Sequence, residues 1–105
     1  MGQFSRSPLS DNEIAAQIVG LPTWISVTGN DGSNQLVKTY LFGTFKEAMS
    51  FILRIAFEAE SLDHHPEIKN VYNKVVISLA THDAGNRITE LDVELAKRIE
   101  QISWV

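Results

Sequence analysis

The three histidines of this chain are the residues best suited to chemistry, and they fall within two short segments. His64 and His65 are adjacent and are followed by Pro66, while His82 comes directly after Thr81. An unperturbed imidazole has a pKa of about 6.5, so it can give and take protons near neutral pH. Because both segments have the character of loops, the pattern indicates an acid–base enzyme.

Acidic residues lie close to these histidines along the sequence. Glu60 comes four residues before His64, Asp63 directly before it, and Asp92 ten residues after His82. A carboxylate at the C-terminal end of a helix is disfavoured by the helix dipole, so Glu60 at such an end suggests a partner such as a histidine N–H. Asp63 either orients a histidine or lies in solvent. Asp92 is interpreted as the acidic member of a helix cap, with an indirect role in function.

Each histidine also has a simpler interpretation. His64 and His65 could be solvated loop residues, because adjacent residues of an extended segment point in opposite directions unless the backbone bends. A single histidine at the end of a strand, such as His82, is often structural. Imidazole is a good zinc ligand, but the sequence has neither an HExxH pattern nor a cysteine. We therefore predict no metal site.

Three capping-box patterns predict the starts of three helices. The patterns are Ser10-Asp11-Asn12-Glu13, Thr44-Phe45-Lys46-Glu47 and Thr89-Glu90-Leu91-Asp92, and the helices are predicted to end near residues 19, 60 and 102. Apolar residues of the middle helix recur at spacings of three and four, which predicts one buried stripe. The members of that stripe are Phe45, Ala48, Met49, Ile52, Ile55, Ala56 and Ala59.

Four segments rich in β-branched and aromatic residues are predicted as strands, over 23–28, 35–42, 68–72 and 74–81. His82 would then leave the sheet at a strand end. Tyr72 is interpreted as a packing residue, and Trp24 and Trp104 as core or interface residues. The order helix, strand, strand, helix, strand, strand, helix predicts an α+β layer fold, with helices covering one face of the strands.

The composition fits one globular domain with a small-molecule or protein partner. Residues 1–9 are predicted to be a loose tail and residues 10–105 a single domain. Nine Lys+Arg and thirteen Asp+Glu give a net charge of −4, which disfavours direct binding to nucleic acid. The absence of cysteine excludes disulfides and fits a reducing cytoplasm. Since no signal peptide or membrane-length apolar run is present, we expect a cytoplasmic protein without membrane contact.

At the histidine segments the chain resembles the pterin-4a-carbinolamine dehydratases. That family carries an acidic residue, three spacers, His-His-Pro or His-Asn-Pro, an aromatic residue, a Thr-His strand end and a later aspartate. The counterparts here are Glu60, His64-His65-Pro66, Tyr72, Thr81-His82 and Asp92. The resemblance covers about residues 10–102. Three features depart from the family: Ile68 replaces a tryptophan beside the pocket, Lys38 replaces an arginine, and the loop 85–89 is one residue longer.

The resemblance implies a four-stranded antiparallel sheet with three helices on one face, assembled into homodimers or homotetramers. It implies a hydro-lyase that removes water from 4a-hydroxytetrahydropterin to give quinonoid dihydropterin, which recycles the cofactor of aromatic amino-acid hydroxylases. The reaction needs one general acid and one general base, and no metal or organic cofactor. His64 and His82 are expected to transfer the protons and His65 to position the pterin; which of the first two is the acid stays open.

The remaining site residues follow from the same resemblance. Glu60 is expected to orient a histidine at the pterin site, with Tyr72 and Asp92 as structural support. Backbone groups are expected to bind the edge of the pterin, at Pro66, Thr81, Asp83 and Ala84. Two alternatives stay open: a non-catalytic interaction or dimerisation module that acts as a transcriptional coactivator, and a binder of a different pterin.

Overall fold

The order of helices and strands is the one that the sequence predicts. A computed structural model describes residues 4–102, so Trp104 lies outside the described residues. The elements are α1 (Asp11–Ile18), β1 (Ile25–Thr28), β2 (Asn34–Leu41), α2 (Phe45–Leu62), β3 (Glu67–Val71), β4 (Lys74–Leu79) and α3 (Glu90–Glu100). The α+β class is therefore confirmed.

The four strands form one antiparallel sheet in the order β1-β2-β4-β3. The central pair places Leu36 of β2 opposite Leu79 of β4. Val75, Ile77 and Leu79 are fully buried at alternate positions of β4, because side chains of a strand alternate between the two faces. This face packs against the three helices. The strand β4 consequently runs from the solvent-exposed β3–β4 turn to the segment that holds His82.

The predicted capping boxes are confirmed at two of the three helices. In α1 the side chains of Ser10 and Glu13 cap each other's backbone, and Thr89 and Asp92 do the same in α3. In α2 the Thr44 hydroxyl accepts from the Glu47 N–H, but the Glu47 carboxylate accepts from the N–H of Gly43 at 2.7 Å. The acidic side chain thus reaches one residue beyond the cap and secures the β2–α2 connection.

The buried stripe of α2 differs from the predicted one. Ala48, Phe51, Ile55 and Ala59 face the core, whereas Ala56 is exposed. Four further apolar residues form an outer α2 row at four-residue spacing, with exposures of 47% for Phe45, 36% for Met49, 61% for Leu53 and 70% for Phe57. Spacing could not choose between the two faces because α2 is apolar on both. None of the helices within residues 4–102 is long and apolar enough to cross a membrane.

A shared carboxylate ties the end of α3 to the β1–β2 hairpin. One oxygen of Glu100 accepts from Lys38 at 2.6 Å, from Tyr40 at 2.5 Å and from the indole of Trp24 at 3.0 Å. Burial acts to raise the pKa of Glu100, but the three donors outweigh it and hold that pKa below its usual value. Burial and the adjacent carboxylate raise the pKa of Tyr40, so its hydroxyl stays a donor. The placement of Trp24 in the core is confirmed.

Candidate active site

The three histidines line one cavity, although they come from different elements. His64 and His65 follow the C-terminal end of α2, and His82 opens a short 3₁₀ turn, His82–Ala84, after β4. The cavity has a volume of about 220 Å³, and its lining consists of Arg6, Asp63, His64, His65, Ala80, His82 and Asp83. The convergence of three imidazoles and two carboxylates gives this cavity the means for proton transfer.

A left-handed residue at the end of α2 separates the two adjacent histidines. Asp63 has φ 51° and ψ 45°, and its N–H donates to the carbonyls of Ala59 and Glu60. The next N–H, of His64, also donates to Ala59, at 3.0 Å. This tight helix end turns the imidazole of His64 into the protein, where it is 6% exposed, while the side chain of His65 remains 61% exposed. Because the backbone bends here, both rings reach the same cavity.

A fully buried carboxylate holds the ring of His64. Asp92 is 0% exposed, and its Oδ1 lies 2.5 Å from Nε2 of His64. Its other oxygen accepts from the Thr81 hydroxyl at 2.9 Å and from the Thr89 N–H at 2.9 Å. The two threonine hydroxyls are themselves 2.7 Å apart. Asp92 therefore caps α3, as predicted, and in addition fixes the position of His64.

The contact with Asp92 also decides how the ring of His64 can act. An ionised carboxylate only accepts hydrogen bonds, so Nε2 of His64 carries the hydrogen. In the neutral ring the lone pair is then on Nδ1, which is free to accept a proton. When the ring becomes charged, the adjacent carboxylate stabilises it. The arrangement would allow His64 to act as a base whose ring is oriented by the carboxylate of Asp92.

The other two histidines have weaker and more exposed partners. Nε2 of His65 lies 2.7 Å from Oε1 of Glu60, and both side chains are mostly exposed. Nδ1 of His82 lies 3.3 Å from the side-chain oxygen of Asn86 in the following loop. Asn86 adopts the left-handed conformation, with φ 59°, which asparagine tolerates better than most residues. His82 thus faces the cavity, and no carboxylate among residues 4–102 is paired with it.

Several predicted site residues lie elsewhere or are already engaged. The backbone N–H of Thr81 donates to Arg87, and its carbonyl accepts from Ala84 and Asn86, so this backbone is already paired. Pro66 and Ala84 are not among the residues that line the cavity. Tyr72 is 63% exposed in the β3–β4 turn, at the other end of β4 from His82, so its interpretation as a packing residue is wrong.

Two of the departures from the family pattern are accounted for by local contacts. Ile68 is half-buried and packs against the core, and it does not line the cavity. Lys38 lies in β2 and pairs with Glu100. The third departure, the longer loop, supplies Asn86 as the partner of His82.

Two of the residues that line the cavity, Ala80 and Arg6, could not be predicted from the sequence. Ala80 follows β4, and its methyl side chain carries no chemistry that a sequence pattern could link to the site. Arg6 lies in the segment that was predicted to be a loose tail, and nothing in the local pattern connects it with the histidines. Within residues 4–102, no group of three or more His, Asp and Glu side chains is arranged to hold a metal ion.

Comparisons with known proteins identify the family. The profile of the family described as "Pterin 4 alpha carbinolamine dehydratase" matches residues 7–102. A relative from Opitutus terrae named "Putative pterin-4-alpha-carbinolamine dehydratase" is 66% identical over 70 residues, covering 67% of this chain and 72% of the relative. A relative of the same name from Prochlorococcus marinus is 46% identical over 96 residues, covering 91% and 94%. The crystal structure of a transcriptional coactivator/pterin dehydratase from Brucella melitensis has a TM-score of 0.81 at 36% identity, covering 90% of this chain and 96% of that one. The chain belongs to the pterin 4 alpha carbinolamine dehydratase family.

Proposed function

We propose that this protein removes water from 4a-hydroxytetrahydropterin to give quinonoid dihydropterin. The observation that supports this function best is the meeting of three imidazoles in one cavity, one of them backed by the buried carboxylate of Asp92. Membership of the dehydratase family supports the same reaction. In a cell the reaction would return a used pterin to the reductive cycle that serves aromatic amino-acid hydroxylases, and we place the protein in the cytoplasm.

The reaction requires two proton transfers at neighbouring atoms of the pterin. The C4a–O bond breaks while an acid protonates the departing hydroxyl, so the leaving group is water. The lone pair of N5 forms the new C4a–N5 double bond, and a base takes the proton from N5. One proton is given and one is taken, so the products are quinonoid dihydropterin and water. Each transfer needs a group within hydrogen-bond reach of its atom.

We assign the base to His64 and the acid to His82. His64 has its lone pair on Nδ1 when neutral, and Asp92 stabilises the charged ring that forms when it accepts the N5 proton. Nδ1 of His82 lies against the neutral side chain of Asn86, and no carboxylate in the described part of the chain is paired with this ring. With the base assigned to His64, His82 is the other imidazole of the cavity that can protonate the departing hydroxyl.

The other polar residues of the cavity are suited to holding the pterin. His65 is oriented by Glu60 and lies on the exposed side of the cavity, where it can position the ring. Asp63 and Asp83 provide carboxylates in the lining. A pterin presents N–H donors at N3 and at the 2-amino group, which match such acceptors. We assign these residues to binding, with Asp83 in contact with the donor edge.

The rate of dehydration of freshly generated 4a-hydroxytetrahydropterin tests this function. Followed by ultraviolet absorbance, the wild-type protein should accelerate the reaction well above its spontaneous rate. The matched control is the double variant His64→Ala/His82→Ala, which should behave like buffer while remaining folded by circular dichroism. A folded wild-type protein that gives no acceleration would contradict the proposed dehydratase activity and leave the alternative of a non-catalytic binding module.

We also infer that the protein forms a homo-oligomer in which α2 packs against α2 of a second copy. The outer α2 row exposes four large apolar side chains along one face of the longest helix. A contiguous apolar surface of this kind marks an interaction site on a soluble protein. The family resemblance, which implies dimers or tetramers, supports a second copy rather than a different protein as the occupant of this surface.

Charge placed in this row should separate the copies. We expect Leu53→Glu to shift the wild-type oligomer to a smaller species in analytical ultracentrifugation, because a carboxylate cannot be buried unpaired in an apolar contact. Val19→Glu is the matched control, since Val19 is 79% exposed at the end of α1, outside the row. A wild-type protein that is monomeric at high concentration contradicts self-association and assigns the row to another protein.

A further inference from the structure

The segment before α1 brings a permanent positive charge to the cavity of the histidines. Arg6 lines this cavity, and backbone hydrogen bonds hold the chain on both sides of it. The N–H of Ser5 donates to the Glu90 carboxylate at 3.2 Å, and the N–H of Leu9 donates to the Ile88 carbonyl at 2.9 Å. Leu9 also packs against the core. Because Ile88 and Glu90 lie at the start of α3, these contacts attach the segment around Arg6 to that end of the helix and place the guanidinium beside the cavity.

The charges around the guanidinium leave it able to bind a ligand. Its Nη1 lies 3.7 Å from Oδ2 of Asp83, which is longer than a hydrogen bond, so this ion pair does not saturate the five N–H donors of Arg6. The side chains are 46% and 72% exposed, and an exposed pair of this kind contributes little to stability. The ion pair with Asp83 therefore leaves N–H donors of Arg6 available to a ligand in the cavity.

A pterin carries an acceptor atom that could bind the N–H donors of Arg6. Arginine has no acceptor, so it can only meet an acceptor atom of the substrate. The strongest acceptor on the ring is the C4 oxo oxygen, which lies beside the donor group at N3. The pair Arg6 and Asp83 presents a donor next to an acceptor, in the complementary order.

We propose that Arg6 is a substrate-binding residue that donates to the C4 oxo oxygen of the pterin, next to Asp83. The inference rests on the proposed function, since it names the contact that orients the same substrate. Its role is to hold the ring with C4a and N5 toward the histidines. We assign Arg6 no part in proton transfer, because arginine has no acceptor atom that could take the N5 proton.

Kinetics of Arg6→Ala and Arg6→Lys test this role. We expect Arg6→Ala to raise KM by roughly 10- to 100-fold, the range for losing a hydrogen bond to a charged group, with kcat changed less than about threefold. Arg6→Lys should recover part of the loss. Lys97→Ala is the matched control for net charge, because it removes a positive charge in the last turn of α3, outside the cavity.

Equilibrium binding of two stable ring analogues identifies the contact. Fluorescence titration should show that the wild-type protein prefers pterin to 2,4-diaminopteridine, in which an amino donor replaces the C4 oxo acceptor. N3 of the diamino ring also lacks the hydrogen that Asp83 would accept, so Arg6→Ala should lose the part of this preference that comes from the C4 oxo group, whereas Lys97→Ala should keep all of it. If the wild-type protein is active and Arg6→Ala has the same KM and the same preference, the role of Arg6 is overturned and the proposed function stands. A wild-type protein that neither binds pterin nor dehydrates the substrate overturns the proposed function with it.

Discussion

Replacing either His64 or His82 by alanine should lower kcat for dehydration by about 10²- to 10⁴-fold, the usual contribution of a general acid or base. The two rings serve different atoms of the substrate, so each loss leaves one proton transfer without its partner. His65→Ala is the comparison within the same cavity, because its ring is exposed and paired with Glu60. It should raise KM more than it lowers kcat. Steady-state rates with freshly generated substrate measure all three variants.

The different burial of the two rings makes the assignment testable one residue at a time. His82 is exposed, so added imidazole should enter the space left by His82→Ala and restore part of the rate. His64 is 6% exposed and its partner Asp92 is fully buried, so the same addition should restore little in His64→Ala. Near-full rates in both alanine variants would rule these histidines out as acid and base. Rescue of His64→Ala alone would reverse our account of the site.

The second large effect is expected at Asp92, where one substitution should damage both activity and stability. Asp92→Asn keeps the shape but replaces one oxygen by an NH₂ donor. The carboxylate accepts from His64, Thr81 and Thr89, so the amide must turn a donor toward at least one group that is itself a donor. Breaking such a buried charge-assisted contact costs about 3 kcal/mol in the free energy of unfolding.

Urea unfolding followed by circular dichroism measures the stability change, and kcat should fall by at least about 100-fold because His64 loses its fixed orientation. Asp63→Asn is the matched control: Asp63 is exposed and asparagine tolerates its left-handed backbone, so the unfolding free energy should change by less than about 0.5 kcal/mol. Our account of the network fails if Asp92→Asn is as stable and as active as the wild-type protein.

Features that depend on neighbours in sequence could be predicted from the sequence. The caps of α1 and α3 need only residues three positions apart, and β4 shows its buried face by simple alternation. The meeting of His64 with Asp92 could not be predicted in the same way. These residues are 28 positions apart, and their contact depends on how the end of α2 packs against the start of α3.

Other features depend on choices that a local pattern leaves open. Phe45 and Met49 fit the apolar spacing of α2 as well as Phe51 does, and only the packed core shows which of them is buried. Tyrosine is a residue type that favours strands, but Tyr72 adopts φ 52° in the β3–β4 turn. The place of Arg6 depends on backbone contacts of its neighbours with residues near α3.

The strand order has a consequence for how the histidine site forms during folding. Each hairpin closes over a short stretch of chain, but the central pairing of Leu36 with Leu79 joins the two hairpins across α2 and β3. Joining them carries the larger loss of chain entropy, because the intervening loop is long. His64 lies in the segment between Leu36 and Leu79, which this pairing encloses, and Asp92 lies after Leu79. We therefore expect the contact between His64 and Asp92 to form only after the two hairpins have joined, so that the histidine site is completed late in folding.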